Sequence, residues 1–168
     1  FPSRVVGRVR GEDGEATIAM LVERFQALED RFAALKKEVD DDHNLVRHLK
    51  SMTSLVHWIE GANAIGDFAD LLERAHAEID RLEEKLAHSR RIKAELVDRA
   101  EALTDSETWR ATGEEMNALM DRWKRAGSGG GEEDDALWQR FRAARSGFFD
   151  RRARHSTEVR KDRMAAVK

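Results

Sequence analysis

At 168 residues the chain has room for one domain or two small ones, and 38% charged residues with a single proline and no tyrosine point to helices over sheet. The absence of cysteine excludes disulfides, thiolate nucleophiles and sulfur-ligated metals, and no apolar run approaches the ~20 residues of a membrane span. The net charge of −3 conceals an asymmetry: residues 137–168 hold ten Arg and Lys against three acids, a local +7, which leaves −10 for the preceding 136 residues.

The first eleven residues read as an extended arm, with Val5, Val6 and Val9 around Gly7. An arm packed across helices is favoured over one that holds phosphate through Arg4, Arg8 and Arg10. Phe1-Pro2-Ser3-Arg4 does not open a signal peptide, and the missing initiator Met predicts a piece cut from a longer chain. A soluble, cytoplasmic protein is expected.

Residues 12–103 are expected to form a coiled-coil hairpin of three helices. The first starts near Asp13, and its apolar positions Ile18, Leu21, Phe25, Leu28, Phe32, Leu35 and Val39 alternate by three and four, as in a coiled-coil seam. Asp40-Asp41-Asp42 then suits the start of a second helix, residues 43–60, closed by Gly61 as a C-cap. A connector with two flexible points, Gly61 and Gly66, leads to a third helix capped by Asp67. Its seam runs Phe68, Leu72, Ala75, Ile79, Leu82 and Leu86. The next positions, Ser89 and Lys93, do not suit a core, and apolar residues resume at Ile92, Leu96, Ala100 and Leu103. That slip predicts a stutter, after which the helix turns another face to its partner. The simplest arrangement is a long antiparallel coiled coil, and the same heptads close equally within one chain or between two copies.

Residues 104–149 form the best-marked packing unit, with six of the chain's eleven aromatics. Thr104-Asp105-Ser106-Glu107 has the form of a capping box. Trp109, Thr112, Met116, Met120 and Trp123 make one helical stripe with Leu119 beside it, and Gly127 ends that helix. The run Gly127-Ser128-Gly129-Gly130-Gly131 reads as a flexible linker. Acids 132–135 open the next helix, whose inner stripe is Leu137, Phe141, Ala144 and Phe148 with Trp138 at the flank. The expected core of this unit is therefore Trp109, Met116, Trp123, Leu137, Trp138, Phe141 and Phe148. Residues 150–168 continue as a basic helical tail with little to bury, either a projecting spur or a segment that orders on a partner. The whole is all-α: a long helical hairpin, a small helical unit and a projecting basic C-terminal helix.

No catalytic constellation accompanies these elements. Glu73-Arg74-Ala75-His76 has the Glu-x-x-His spacing of di-iron bundles but lacks the second pair such sites need. Asp40-Asp41-Asp42-His43 reads as a solvated cap. His48 and His57 have no Ser-Asp arrangement at recognisable spacing, and the glycine run lacks the Lys and Ser/Thr of a P-loop. No metal, no cofactor and no enzymatic activity are expected. The tryptophans recur at helical spacing, which favours core over base stacking. Phosphate contact, by contrast, needs only accessible cations, and Arg140, Arg142, Arg145, Arg151, Arg152, Arg154, Arg160, Lys161 and Arg163 supply them.

Ala102-Leu103, Trp109, Ala111-Thr112, Leu119, Trp123-Lys124, Gly127, the run from Asp134-Asp135-Ala136-Leu137 through Trp138-Gln139-Arg140-Phe141, and Phe148-Phe149 together resemble the bacterial domain of unknown function 349 (DUF349) family. The opening Phe1-Pro2-Ser3-Arg4 through Gly7-Arg8-Val9 is similar to the lead-in of its longer members. The resemblance implies a helical unit, single or in tandem, that accompanies coiled coils, and it implies no activity. The expected function is a non-enzymatic helical interaction or scaffold module with a protein partner. The alternative is a nucleic-acid- or ribosome-associated protein that touches phosphates through its Arg-rich C-terminal helix.

Overall fold

A computed structural model describes residues 14–127 and 129–167. The expected N-terminal arm and the start of the first helix at Asp13 lie outside the described residues. Those described form five helices and no strand: α1 Gly14–Asp41, α2 Leu45–Gly61, α3 Phe68–Leu103, α4 Trp109–Arg125 and α5 Gly131–Ala166. The fold class is all-α, as the periodicity predicts. The chain divides into two compact units between Leu86 and Ala87, a point inside α3.

In the first unit the α1 seam enters a core shared with α2 and the first part of α3. Phe25, Phe32, Leu35, Met52, Leu55, Val56, Ile59, Leu71 and Ala75 are buried together. Ile18, the first position of the expected seam, is 47% exposed. The segment after α2 meets α1 at Leu21, whose carbonyl accepts from the Ile65 N–H at 3.0 Å, and at Arg24, which donates to the Asn63 carbonyl at 3.4 Å, both on the C-terminal side of Ile18. Gly66 lies against the face of the Phe25 ring so closely that a Cβ there would fall 2.1 Å from Cγ. Phe25 in turn meets Phe68 edge-on, with centroids 5.0 Å apart. Gly66 is thus a contact residue.

Helix ends follow local chemistry more closely than residue type suggests. Asn44, not an aspartate, is the N-cap of α2 and accepts from the Arg47 N–H at 3.1 Å. Asp42 serves one step earlier, accepting from the Asn44 N–H at 3.1 Å and pairing with the Arg47 guanidinium. Asp67 caps α3 as expected, accepting from the Asp70 N–H at 3.0 Å. Gly61 is still helical and has no left-handed φ; α2 stops because Ala62 is extended.

The stutter expected in α3 does not occur. Ser89 and Lys93 continue the three-and-four spacing from Leu82 and Leu86, and both are buried. A polar side chain holds a seam position when its polar atoms find partners inside, and these two do. Beyond them the buried face widens to take Leu96, Val97 and Ala100, which pack with Met116 and Leu119 of α4 and Phe141, Ala144 and Phe148 of α5. Burying side chains of this size stabilises by ~1.5–3 kcal/mol each. Surface pairs such as Arg99 with Glu115 at 2.6 Å add ~0–1 kcal/mol.

The capping box at Thr104 does not form either. The Thr104 hydroxyl bonds the carbonyls of Ala100 at 3.1 Å and Ala144 at 3.2 Å, and α4 begins after Thr108. Gly127 closes α4 with a φ of 80°, a left-handed conformation that suits glycine. The basic tail is no separate element: α5 runs unbroken from Gly131 to Ala166.

Candidate functional site

Two places in the second unit concentrate polar chemistry. One is buried and organises the glycine turn. Asp134, in the first turns of α5, reaches back so that its Oδ2 accepts from the Gly129 N–H at 2.9 Å and the Gly130 N–H at 3.2 Å. The same oxygen receives the Lys93 ammonium at 2.7 Å. Lys93 is 2% exposed, and its Nζ lies 5.3 Å from the centroid of the Trp123 ring. Arg90 pairs with Glu133 at 2.6 Å and brings its Nε to 3.7 Å from Asp134 Oδ1; neither of these last two atoms has a hydrogen-bond partner. Nearby, the Ser89 hydroxyl donates to the Ala126 carbonyl at 2.9 Å. The glycine run is therefore clasped at Gly129 and Gly130 and does not behave as a free linker. Lys93, Asp134 and Ser89 were not legible as a set, although an uninterrupted heptad count through positions 89 and 93 carries the signal.

The other place is the outer part of α5. Phe141, Ala144 and Phe148 hold the helix into the core, and an aromatic cluster guards the point where it leaves. Trp109 stacks on His155 with centroids 4.8 Å apart and lies 5.9 Å from Phe148. The Arg151 guanidinium sits 5.2 Å from the same indole and donates to the carbonyls of Thr104 at 2.8 Å and Ser106 at 3.1 Å. From Arg152 to Val167 every residue is exposed.

The nine cations singled out for phosphate contact separate into two groups. Arg140 is held by Glu101 at 2.8 Å and by Asp98 at 3.7 Å, and its bond to Glu101 raises its pKa further above the ordinary arginine value. Arg145 is half-buried, with its Nη2 3.3 Å from Asn117 Oδ1 and its guanidinium against Phe149; burial pushes its pKa down. Arg151 is engaged as described. Arg142, Arg152, Arg154, Arg160, Lys161 and Arg163 form no ion pair among the described residues. Arg152 rests its guanidinium over Gly113 of α4, where a Cβ would come within 2.6 Å of Nη1.

The seven expected core residues all join one cluster. Met116, Phe141 and Phe148 are completely enclosed, while Trp109, Trp123, Leu137 and Trp138 pack on its edge. Trp123 stacks on Phe141, with centroids 4.7 Å apart and planes 12° from parallel. None of the three indoles is fully open, so none is presented as a stacking platform. The most open indole, Trp58 at 73%, lies in the first unit beside a shallow groove lined by Ala27, Leu28 and Leu55. Glu73 and His76 are both exposed, and no group of three or more His, Asp and Glu able to hold a metal occurs among the described residues.

Neither curated proteins nor solved structures yield a significant match to the chain. A family model does, and its match begins at Phe68, so it takes in all of α3 ahead of the tryptophan stripe and stops short of the α5 core residues. With α3, α4 and the clasped glycines spanned in this way, residues 68–130 match the model of the family described as Domain of Unknown Function (DUF349).

Proposed function

We propose that the chain is a non-enzymatic helical interaction module of a bacterial cytoplasmic protein, which presents surfaces to partners in place of a reaction centre. The observation that carries this reading is the length of α5 beyond Arg151, in which every described residue is exposed and the second unit touches only the first turn, at Arg152 and His155. Helix with so little to bury is held in a fold at no gain to its core, and recognition supplies a reason for it. The polar groups argue the same way, since the buried Lys93 ammonium and the Gly129 and Gly130 amides all engage Asp134 Oδ2. The test is recovery of partners from the source cell by the full chain and by one ended after Asp150. Equal recovery by both would remove α5 as the working surface. The first unit also leaves Ile18 of the seam and the neighbouring Val22 exposed, each 47%, which suits pairing between two copies; light scattering decides that point.

A second reading rests on a separate observation: six cations of α5 remain unpaired on an accessible helix. In this reading the protein associates with nucleic acid or the ribosome through phosphate contacts that carry no sequence information. Nuclease treatment before the recovery experiment separates the two readings. If neither RNA nor DNA shifts the chain at ~50 mM salt, the second reading fails.

A further inference from the structure

We propose that the exposed part of α5 enters the major groove of double-stranded DNA, with a row of cations against each of the two phosphate ridges. The proposal rests on the nucleic-acid reading and goes beyond it by naming the form of nucleic acid and the docking face.

The argument starts from the distribution of side chains around the helix. At ~100° per residue, Arg152, Arg160 and Arg163 fall within an arc of about 80°, and Arg154 and Lys161 fall together about 150° from the middle of that arc. Between the two rows, on one side, lie Ala153, Thr157 and Met164, all exposed. Glu158 and Asp162 take the opposite side, behind both rows. Asp150, the remaining acid, sits at the base of the rod where α5 is still attached to the core. The exposed segment thus has a nearly neutral floor of small and flexible side chains, a cationic flank on either edge and an acidic back.

A helix lying flat on a polyanion needs one cationic face. Two flanks separated by a neutral floor suit a helix with phosphates on both sides, which is the situation inside a groove. The major groove of B-form DNA is about 12 Å wide, and a helix with its side chains is about 10–12 Å across. Entry requires a free length of rod, and residues 156–166, beyond the contacts of Arg152 with Gly113 and of His155 with Trp109, supply about 16 Å of it. The deep, narrow major groove of duplex RNA does not admit a helix. Single strands are gripped largely by base stacking, and the one aromatic ring of α5 beyond Phe149, the His155 imidazole, is already stacked on Trp109, while the indoles of this unit are packed on its core.

The experiment uses the full chain and four probes: a DNA duplex of about 20 base pairs, the RNA duplex of the same sequence, and each corresponding single strand, at several salt concentrations. The expected order places duplex DNA first, with protection of guanine N7 from methylation. Arg152→Ala with Arg163→Ala, and separately Arg154→Ala with Lys161→Ala, each lower the slope of log K against log salt by about 1.8, the value for two lost phosphate contacts. These positions are exposed and alanine is a strong helix former, so unchanged helicity by circular dichroism accompanies the loss. Duplex RNA or a single strand bound as well as duplex DNA overturns the groove proposal and leaves the nucleic-acid reading standing. So does a flank whose removal changes nothing. Failure of all four probes at ~50 mM salt overturns both.

Discussion

Removing either partner of the Lys93–Asp134 pair should destabilise the second unit, and by different amounts. Breaking a buried pair by deleting one member costs ~3–5 kcal/mol, because an uncompensated charge stays inside. Lys93→Met removes the ammonium but keeps the volume. The Asp134 carboxylate then retains the Gly129 and Gly130 N–H groups and has Arg90 3.7 Å away, so the loss belongs at the low end, ~3 kcal/mol. Asp134→Ala strands a 2% exposed ammonium that has only the Trp123 ring beside it, and it also unties both glycine amides. That loss belongs at or above ~5 kcal/mol. Combining Lys93→Met with Asp134→Asn removes both charges of the pair, leaves Arg90 to Glu133 and keeps an acceptor for the glycines, so the double variant should be more stable than Asp134→Ala alone. Urea denaturation followed by indole fluorescence reports this unit, since Trp109, Trp123 and Trp138 all belong to it; a Trp58→Phe background removes the indole of the other unit. The reasoning fails if Lys93→Met costs more than Asp134→Ala, or if Asp134→Ala stays within ~1 kcal/mol of the parent.

Three further outcomes follow from contacts in the first unit. Gly66→Ala drives a Cβ to within 2.4 Å of three Phe25 ring carbons and should cost ~2–3 kcal/mol or more in urea unfolding; a loss that persists undiminished in a Phe25→Leu background would point away from that contact. Gly61→Ala should have the opposite sign, because the site is helical and open, with a gain of up to ~1 kcal/mol in the same assay. The Asn44 N–H, helped by Arg47 and opposed by burial, holds the Asp42 carboxyl below its ordinary 3.8. A depressed pKa gives stability that is present above 3.8 and lost as the pH falls through the lower folded value. Asp42→Asn should therefore flatten the acid limb of stability against pH, and an unchanged limb would contradict the assignment.

The sequence by itself determined the helices and most of their buried faces, because 3.6-residue periodicity is a local property that survives without knowledge of the partner. It marked Phe141, Phe148 and Met116 as core, Asp67 as a cap and Gly127 as a helix stop. It misread Ser89 and Lys93 as a break in the α3 seam, since residue type alone cannot show that a buried ammonium will meet a carboxylate 41 positions away. Asp134 was legible only as one of four acids at a helix start, and the Gly129 and Gly130 amides that select it come from chain geometry. Gly66 looked like a flexible joint until the Phe25 ring was placed over it. Charge gave the basic bias of the C-terminus, yet only tertiary structure separated Arg140, Arg145 and Arg151, engaged by the core, from the cations left free. Secondary structure follows from near neighbours along the chain, whereas buried charge and close backbone contact are settled by groups that only folding brings together.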